Sequence, residues 1–251
     1  MRRKIVAGNW KMNGSEAALQ TFSTFKTPTG GTEVIICPPA PLLNIAVKCL
    51  QPTGISIGAQ DCHPLPAGAH TGDISARLIA DTGARYVILG HSERRNAHAE
   101  TDRDIADKVR AAWAASLTAI VCIGETQAQR DAGTKLSVID AQLSGSLPPG
   151  ATPLNTIVAY EPTWAIGTGM LPTLEEIATV HDAMRAHLAA RFTEQISDAI
   201  PLLYGGSVKP ENASAIFQVE NVDGALVGGA SLTPDAFAPI VTALSQASIN
   251  R

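Results

Sequence analysis

The chain has few charged side chains and no excess of basic ones. Charged residues make up 17% of its 251 residues, hydrophobic residues make up 45%, and the formal net charge is −4. Without a positive surface field, we expect no nucleic-acid partner and no binding to an anionic membrane surface. The high apolar share indicates a large core with strands buried on both faces.

The sequence also lacks the patterns of membrane segments, metal sites and redox pairs. No apolar stretch is long enough to cross a bilayer, and the basic start is followed by an apolar run that Gly8, Asn9 and Lys11 interrupt, unlike a signal peptide. The four cysteines lack CxxC spacing and the six histidines lack HExxH spacing, so neither a metal site nor a redox pair is predicted. We therefore expect a reduced, cytoplasmic protein.

Short apolar runs alternate with longer amphipathic stretches along the chain. The runs lie near residues 4–9, 33–37, 55–60, 86–90, 117–123, 156–161, 201–205 and 223–227. Between them, helix-like apolar spacing occurs in segments that include Ser15 to Lys26, Thr101 to Ala115, Leu174 to Gln195 and Pro234 to Gln246. Several of these begin with a helix-start residue, namely Thr101, Thr173 and Thr233.

This alternation predicts an α/β fold with a parallel sheet and right-handed crossovers. Eight units in one domain, residues 1–251, favour closure into a (β/α)8 barrel with eight parallel strands ringed by helices. The alternative is a doubly wound open sheet. The chain has neither a GxGxxG motif after the first run nor a P-loop lysine to support that alternative.

A glutamate followed by an unusual loop ends the sixth run. Glu161 comes directly after the buried-strand pattern of residues 156–160, where a carboxylate is either a surface group or a group held over a pocket. The loop favours the pocket, because it combines a rigid start, apolar side chains and a glycine-rich end, as in a lid that closes over a ligand. Its residues are Pro162, Thr163, Trp164, Ala165, Ile166, Gly167, Thr168 and Gly169.

This segment and four others resemble the motifs of the triosephosphate isomerase family, in that family's order. They lie at residues 8–13, 90–95, 159–169, 204–208 and 226–231 and are spread over essentially the whole chain. Any one of them could arise by chance, but the set identifies the chain as a member of the family. The resemblance implies a cofactor-independent interconversion of dihydroxyacetone phosphate and D-glyceraldehyde 3-phosphate, at the carboxyl ends of the barrel strands.

The polar side chains at that rim suit proton transfer next to a carbonyl. Glu161 would act as the base, returning the proton to the neighbouring carbon of an enediolate. His91 and Asn9 would donate hydrogen bonds to the substrate oxygens, and the Lys11 ammonium would offset the developing negative charge. These four residues are therefore the predicted catalytic set.

A helix start is predicted directly after His91. Ser92 and Glu93 are typical of a first helical turn. The family resemblance implies that they support the site and that Glu93 supports Lys11. The family resemblance, and not the residues themselves, implies a neutral His91 whose pKa is lowered by this helix N-terminus.

Small residues after the seventh and eighth runs predict a phosphate site. Backbone N–H groups can approach phosphate oxygens there, and a short following helix can direct its dipole at them. Two glycine pairs lie there, at residues 205–206 and 228–229, and either pair alone would more often form a tight turn. The predicted substrate and phosphate ligands are Asn9, Lys11, Gly167, Ser207, Gly228 and Gly229.

The segment from Gln60 to Ser75 resembles the family's protruding third loop, which inserts into a neighbouring subunit. The resemblance implies a homodimer in which Thr71, Gly72 and Asp73 form the dimer loop; the alternative is a long surface loop.

Two other functions remain as hypotheses. One is another phosphosugar barrel enzyme, such as a synthase of the tryptophan pathway, and the other is a non-catalytic phosphate-binding barrel. Both are disfavoured, because neither would need the complete catalytic set.

Overall fold

Eight parallel strands form a closed barrel in this computed structural model, which describes residues 2–28, 31–166 and 170–249. Each strand is hydrogen-bonded to the next in sequence, and the last pairs with the first. The strands are β1 Lys4–Asn9, β2 Thr32–Cys37, β3 Ser56–Ala59, β4 Tyr86–Leu89, β5 Thr118–Ile123, β6 Thr156–Tyr160, β7 Leu202–Tyr204 and β8 Gly224–Val227. The prediction of a (β/α)8 barrel is confirmed, and the open sheet is excluded.

Helices follow the strands and cover the outside of the barrel. They are α1 Glu16–Thr21, α2 Leu43–Leu50, α3 Ala76–Asp81, α4 Ser92–Ala97, α5 Asp102–Ala114, α6 Gln127–Asp131, α7 Lys135–Ser146, α8 Leu174–Arg191, α9 Glu194–Ser197, α10 Pro210–Phe217 and α11 Pro234–Ile249. Within the described ranges, no helix combines the length and apolar character that a bilayer crossing requires.

The predicted helix starts at Thr101 and Thr173 are confirmed by capping boxes. Each threonine side chain accepts the N–H of the residue three positions later, and the acidic side chain at that position accepts the threonine N–H in return. The first amphipathic stretch holds a shorter helix than its pattern indicates, because α1 gives way to a 3-10 turn at Phe22–Thr24. The long stretch after Leu174 is interrupted at Phe192, whose backbone is extended.

Alternate strand residues fill the barrel interior, and the residues between them pack under the helices. The interior cluster is Ile5, Ala7, Ile35, Cys37, Tyr86, Ile88, Ile120, Cys122, Ile157, Ala159, Leu203 and Leu226. Val6, which points the other way, belongs to the outer cluster. An interior filled by side chains leaves the carboxyl-end rim as the place where polar groups can meet.

Candidate active site

A cavity of about 540 Å³ opens at the carboxyl ends of the strands. Residues that follow or end five different strands line it. Among the predicted site residues, the lining includes Asn9, Lys11, His91, Glu161, Ile166, Ser207, Gly228 and Gly229. Ser92 and Glu93 lie beside this cavity and contact residues that line it. The barrel thus brings the four predicted catalytic residues to one place, although they are far apart in sequence.

Glu161 is buried, and its carboxylate faces the start of α4. Its Oε1 atom lies 2.9 Å from His91 Nε2, and its Oε2 atom accepts the Ser92 N–H at 3.0 Å. Gly205 is required on the other side, because a Cβ atom there would lie 2.9 Å from Glu161 Cγ. The carboxylate is therefore held against a helix N-terminus, where backbone N–H groups favour negative charge.

The hydrogen bonds of His91 indicate a neutral ring with its proton on Nε2. His91 Nδ1 accepts the Glu93 N–H at 3.2 Å, which requires a lone pair on Nδ1. Burial lowers the pKa of His91, but the attraction and hydrogen bond of the Glu161 carboxylate outweigh burial and raise that pKa above its ordinary value. The raised pKa therefore comes from the contact with Glu161, and the lowered pKa that the family resemblance implied is not found in this structure. The Nε2–H points to the same side as the Glu161 carboxylate, where a substrate oxygen would have to lie.

Lys11 has a strained backbone that three polar contacts hold in place. Its φ is 53°, in the left-handed region that side chains rarely adopt. Asn9 Oδ1 accepts the Lys11 N–H at 3.0 Å, and Gln60 Nε2 donates to the Lys11 carbonyl at 2.9 Å. The ammonium lies 2.6 Å from Glu93 Oε1. Two loops and α4 thus direct this cation towards the cavity.

The glycines after β8 leave backbone open to the cavity. Among the described residues, a Cβ atom on Gly229 would meet nothing within 4 Å, and one on Gly228 would meet only Lys11 Cε, at 3.7 Å. A 3-10 turn, Gly229–Ser231, follows directly. Gly206 differs, because an added Cβ would lie 2.1 Å from the Tyr204 hydroxyl, so packing alone requires a glycine there. The predicted phosphate ligand Gly167 lies outside the described residues.

The first part of the predicted lid is docked onto Glu125. Thr163 donates its N–H and its hydroxyl to the Glu125 carbonyl, and the buried Trp164 donates its indole N–H to Glu125 Oε1 at 2.8 Å. The Arg130 guanidinium stacks over the Trp164 ring at 4.0 Å. Pro162 and Ala165 are buried, whereas Thr168 and Gly169 lie outside the described residues.

The third loop is closed at its base and exposed at its tip. His63 pairs with the segment before Ser75, and the predicted dimer loop Thr71, Gly72 and Asp73 is exposed. The ligand atoms of His63, His70 and Asp73 lie within 4.8 Å of one another. His63 Nδ1 accepts the Leu65 N–H, so the neutral ring carries its proton on Nε2, facing Asp73. The Nδ1 lone pair of His63 is therefore already engaged by a backbone N–H and does not face this cluster.

Several site residues could not be found from sequence patterns. Gln60, which fixes the Lys11 carbonyl, and Lys209, which lines the cavity, are polar residues without a motif of their own.

Cys122 lies in the barrel interior, where burial, together with the nearby Glu161 charge, raises the pKa of its thiol well above the usual range. The thiol is therefore protonated, and Cys122 is a packing residue of the barrel interior and not a nucleophile. The four cysteines are all free.

Comparison with known proteins agrees with this geometry. The family model described as triosephosphate isomerase matches residues 4–244. A triosephosphate isomerase from Ruegeria pomeroyi is 58% identical over 250 residues, covering 99% of this chain and 100% of the relative. One from Rhizobium etli is 52% identical, covering 96% of each chain. The crystal structure of triosephosphate isomerase from Bartonella henselae superposes with a TM-score of 0.90 at 43% identity, covering 96% of this chain and 98% of that one. The chain therefore belongs to the triosephosphate isomerase family of isomerase enzymes.

Proposed function

We propose that this chain interconverts dihydroxyacetone phosphate and D-glyceraldehyde 3-phosphate by proton transfer, with Glu161 as the base. The observation that carries the proposal is the convergence of Glu161, His91 and Lys11 on one cavity, with Glu161 Oε1 2.9 Å from His91 Nε2. A carboxylate and a hydrogen-bond donor on one side of a cavity suit removal of a proton next to a carbonyl. The family assignment supplies the triose phosphate substrate.

In the proposed reaction the Glu161 carboxylate takes a proton from C1 of dihydroxyacetone phosphate and gives it to C2. The electron pair of the broken C–H bond forms the enediolate, whose negative charge lies first on the C2 oxygen. The hydroxyl proton of the C1 oxygen then passes to the C2 oxygen, so that C1 becomes the aldehyde when C2 is protonated. His91 Nε2–H donates to the C2 oxygen as its charge develops. The Asn9 Oδ1 atom accepts the Lys11 N–H, and its Nδ2 group, which has no partner among the described residues, can donate to the substrate. The Lys11 ammonium offsets the charge.

The phosphate would be bound at the open backbone after β7 and β8. Gly228 and Gly229 line the cavity with no side chain between their backbone and the empty space, and Ser207 adds a hydroxyl. Donation from backbone N–H groups lets a chain of net charge −4 bind an anion locally. Gly167 completes the proposed set as a lid donor.

One coupled assay of the two triose phosphates tests this function. We expect turnover in both directions with the purified chain alone. A barrel that binds phosphate but has no isomerase activity would instead give binding without turnover, and a different phosphosugar enzyme would leave both triose phosphates unchanged.

We propose that residues 162–169 form a lid that excludes water and protects the enediolate. An enediolate carrying a β-phosphate expels phosphate whenever its C–O bond aligns with the π-system, and the closed lid would prevent that alignment. Deletion of residues 166–169 should therefore slow isomerisation and release methylglyoxal and inorganic phosphate. Both products are measured during turnover of dihydroxyacetone phosphate. A folded deletion variant with the original rate and no additional methylglyoxal would reduce this segment to an ordinary surface loop.

We propose a homodimer assembled through the third loop. Support comes from the exposed loop tip and from Met12, a large apolar side chain that is 96% exposed next to Lys11. Gln60, at the start of the third loop, also bonds the Lys11 carbonyl, so the loop and the site are physically linked.

Shortening the loop between residues 64 and 73 should yield a soluble monomer with much lower activity, because Lys11 would lose its supported position. Sedimentation and turnover are measured on the same preparation. An unchanged dimer, or a fully active monomer, would contradict the proposed assembly.

We further propose that residues 1–251 act as one domain in the reducing cytoplasm. The four free cysteines support a reducing compartment. The low positive charge supports the absence of nucleic-acid and membrane partners.

A further inference from the structure

Gln142, on α7 outside the barrel, makes hydrogen bonds to both the N–H and the carbonyl of Gly124. Its Oε1 atom accepts the Gly124 N–H at 2.7 Å, and its Nε2 group donates to the Gly124 carbonyl at 3.0 Å. Two bonds in opposite directions fix both the position and the tilt of this segment, because the side-chain amide has one acceptor and one donor edge. A single side chain thus ties the end of β5 to the helix layer.

The backbone of Gly124 is in turn in direct contact with the backbone of Glu161. A Cβ atom on Gly124 would lie 1.7 Å from the Glu161 carbonyl oxygen, so the two backbones touch with no side chain between them. The Glu161 N–H donates to the Ile123 carbonyl at 2.7 Å, immediately before Gly124. Any displacement of this segment would therefore move the main chain that carries the base.

Empty space adjoins this contact. A second cavity of about 190 Å³ is lined by Gly124 and Gln142, and within the described part of the chain Glu161 is the one residue that it shares with the substrate cavity. Close packing normally prevents such movement, and along this cavity the Gly124 segment borders space that no described side chain fills. The two hydrogen bonds of Gln142 are well placed to restrain the Glu161 segment where neighbouring atoms do not.

We propose that Gln142 is a positioning residue that sets the location of the Glu161 carboxylate for proton transfer. This inference rests on the proposed function. Proton transfer needs donor and acceptor atoms at hydrogen-bonding separation, and a misplacement of about 1 Å can cost roughly 10²-fold in rate. Gln142 does not line the substrate cavity, so its effect would reach the reaction only through Gly124 and Glu161.

The test is the Gln142→Met variant, which keeps the side-chain length and removes both hydrogen bonds. We expect kcat to fall roughly 10- to 100-fold while KM and the inhibition constant of inorganic phosphate stay within about twofold, because the phosphate site is built on β7 and β8. The Gln195→Met variant, at an exposed glutamine of α9, is the matched control and should match the parent. Gln142→Asn, one methylene shorter, carries the same test if Gln142→Met does not fold.

A merely structural role would give a different result. It would lower the melting temperature and the yield of folded enzyme but leave kcat per folded molecule within about twofold of the parent, and that result would overturn the proposal. An increase in KM and in the phosphate constant would also overturn it, because the anion site would then be affected. Failure of the proposed function itself is distinguishable, because the parent chain would then show no turnover of either triose phosphate.

Discussion

The Glu161→Gln variant is expected to bind phosphorylated substrate and to lose turnover by ~10²- to 10⁴-fold or more, because removing a general base costs about that much and this group acts twice. The amide keeps the shape of the side chain. In the parent, both carboxylate oxygens face donors, His91 Nε2–H and the Ser92 N–H, and an amide can accept only one of them. Steady-state kcat and KM, with phosphate inhibition as the binding measurement, separate the two effects.

A matched control makes the result specific to the base. Glu211 also lines the substrate cavity and is exposed, so Glu211→Gln makes the same chemical change with the same loss of charge. It should retain turnover within a few-fold of the parent. Near-parental turnover of Glu161→Gln would reject the assignment of Glu161, whereas equal losses in both variants would show that the negative charge of the cavity matters more than the base.

The His91→Ala variant is expected to lose ~10²- to 10³-fold in kcat with a smaller change in KM. The donor bond from Nε2 strengthens as the carbonyl oxygen becomes an oxyanion, so its loss acts mainly on the transition state. His98, at the end of α4 and exposed, provides the control, and His98→Ala should leave both constants unchanged. A change confined to KM would make His91 a simple binding residue.

The barrel was predictable from the sequence because its strands are short, apolar and β-branched, and two of its long helices, α5 and α8, begin at capping threonines. Thr156 to Tyr160 forms a strand as its composition indicates, and Thr173 starts α8 as its capping pattern indicates. The interruption at Phe192 was not predicted, because apolar spacing continues across it and only the backbone shows the break.

The convergence of the four proposed catalytic residues on one cavity was also predictable, since each of them ends or follows a strand. The contacts that support these residues were not predictable from the sequence. The need for glycine at position 205 depends on the Glu161 side chain, and the bonds of Gln142 join α7 to the end of β5. Such contacts depend on three-dimensional proximity of residues without a motif, and periodicity carries no information about them. The third loop is a further case, because its proposed role involves a second chain.

Turnover of dihydroxyacetone phosphate in D₂O, followed by NMR analysis of the glyceraldehyde 3-phosphate formed, tests the central claim most directly. A proton carried by the Glu161 carboxyl group can exchange with solvent before it is returned, so the account predicts deuterium at C2 of the product and loss of that product in the Glu161→Gln variant. Transfer as a hydride would keep the original hydrogen on the carbon skeleton. Deuterated product formed equally fast by Glu161→Gln would contradict proton transfer through this residue.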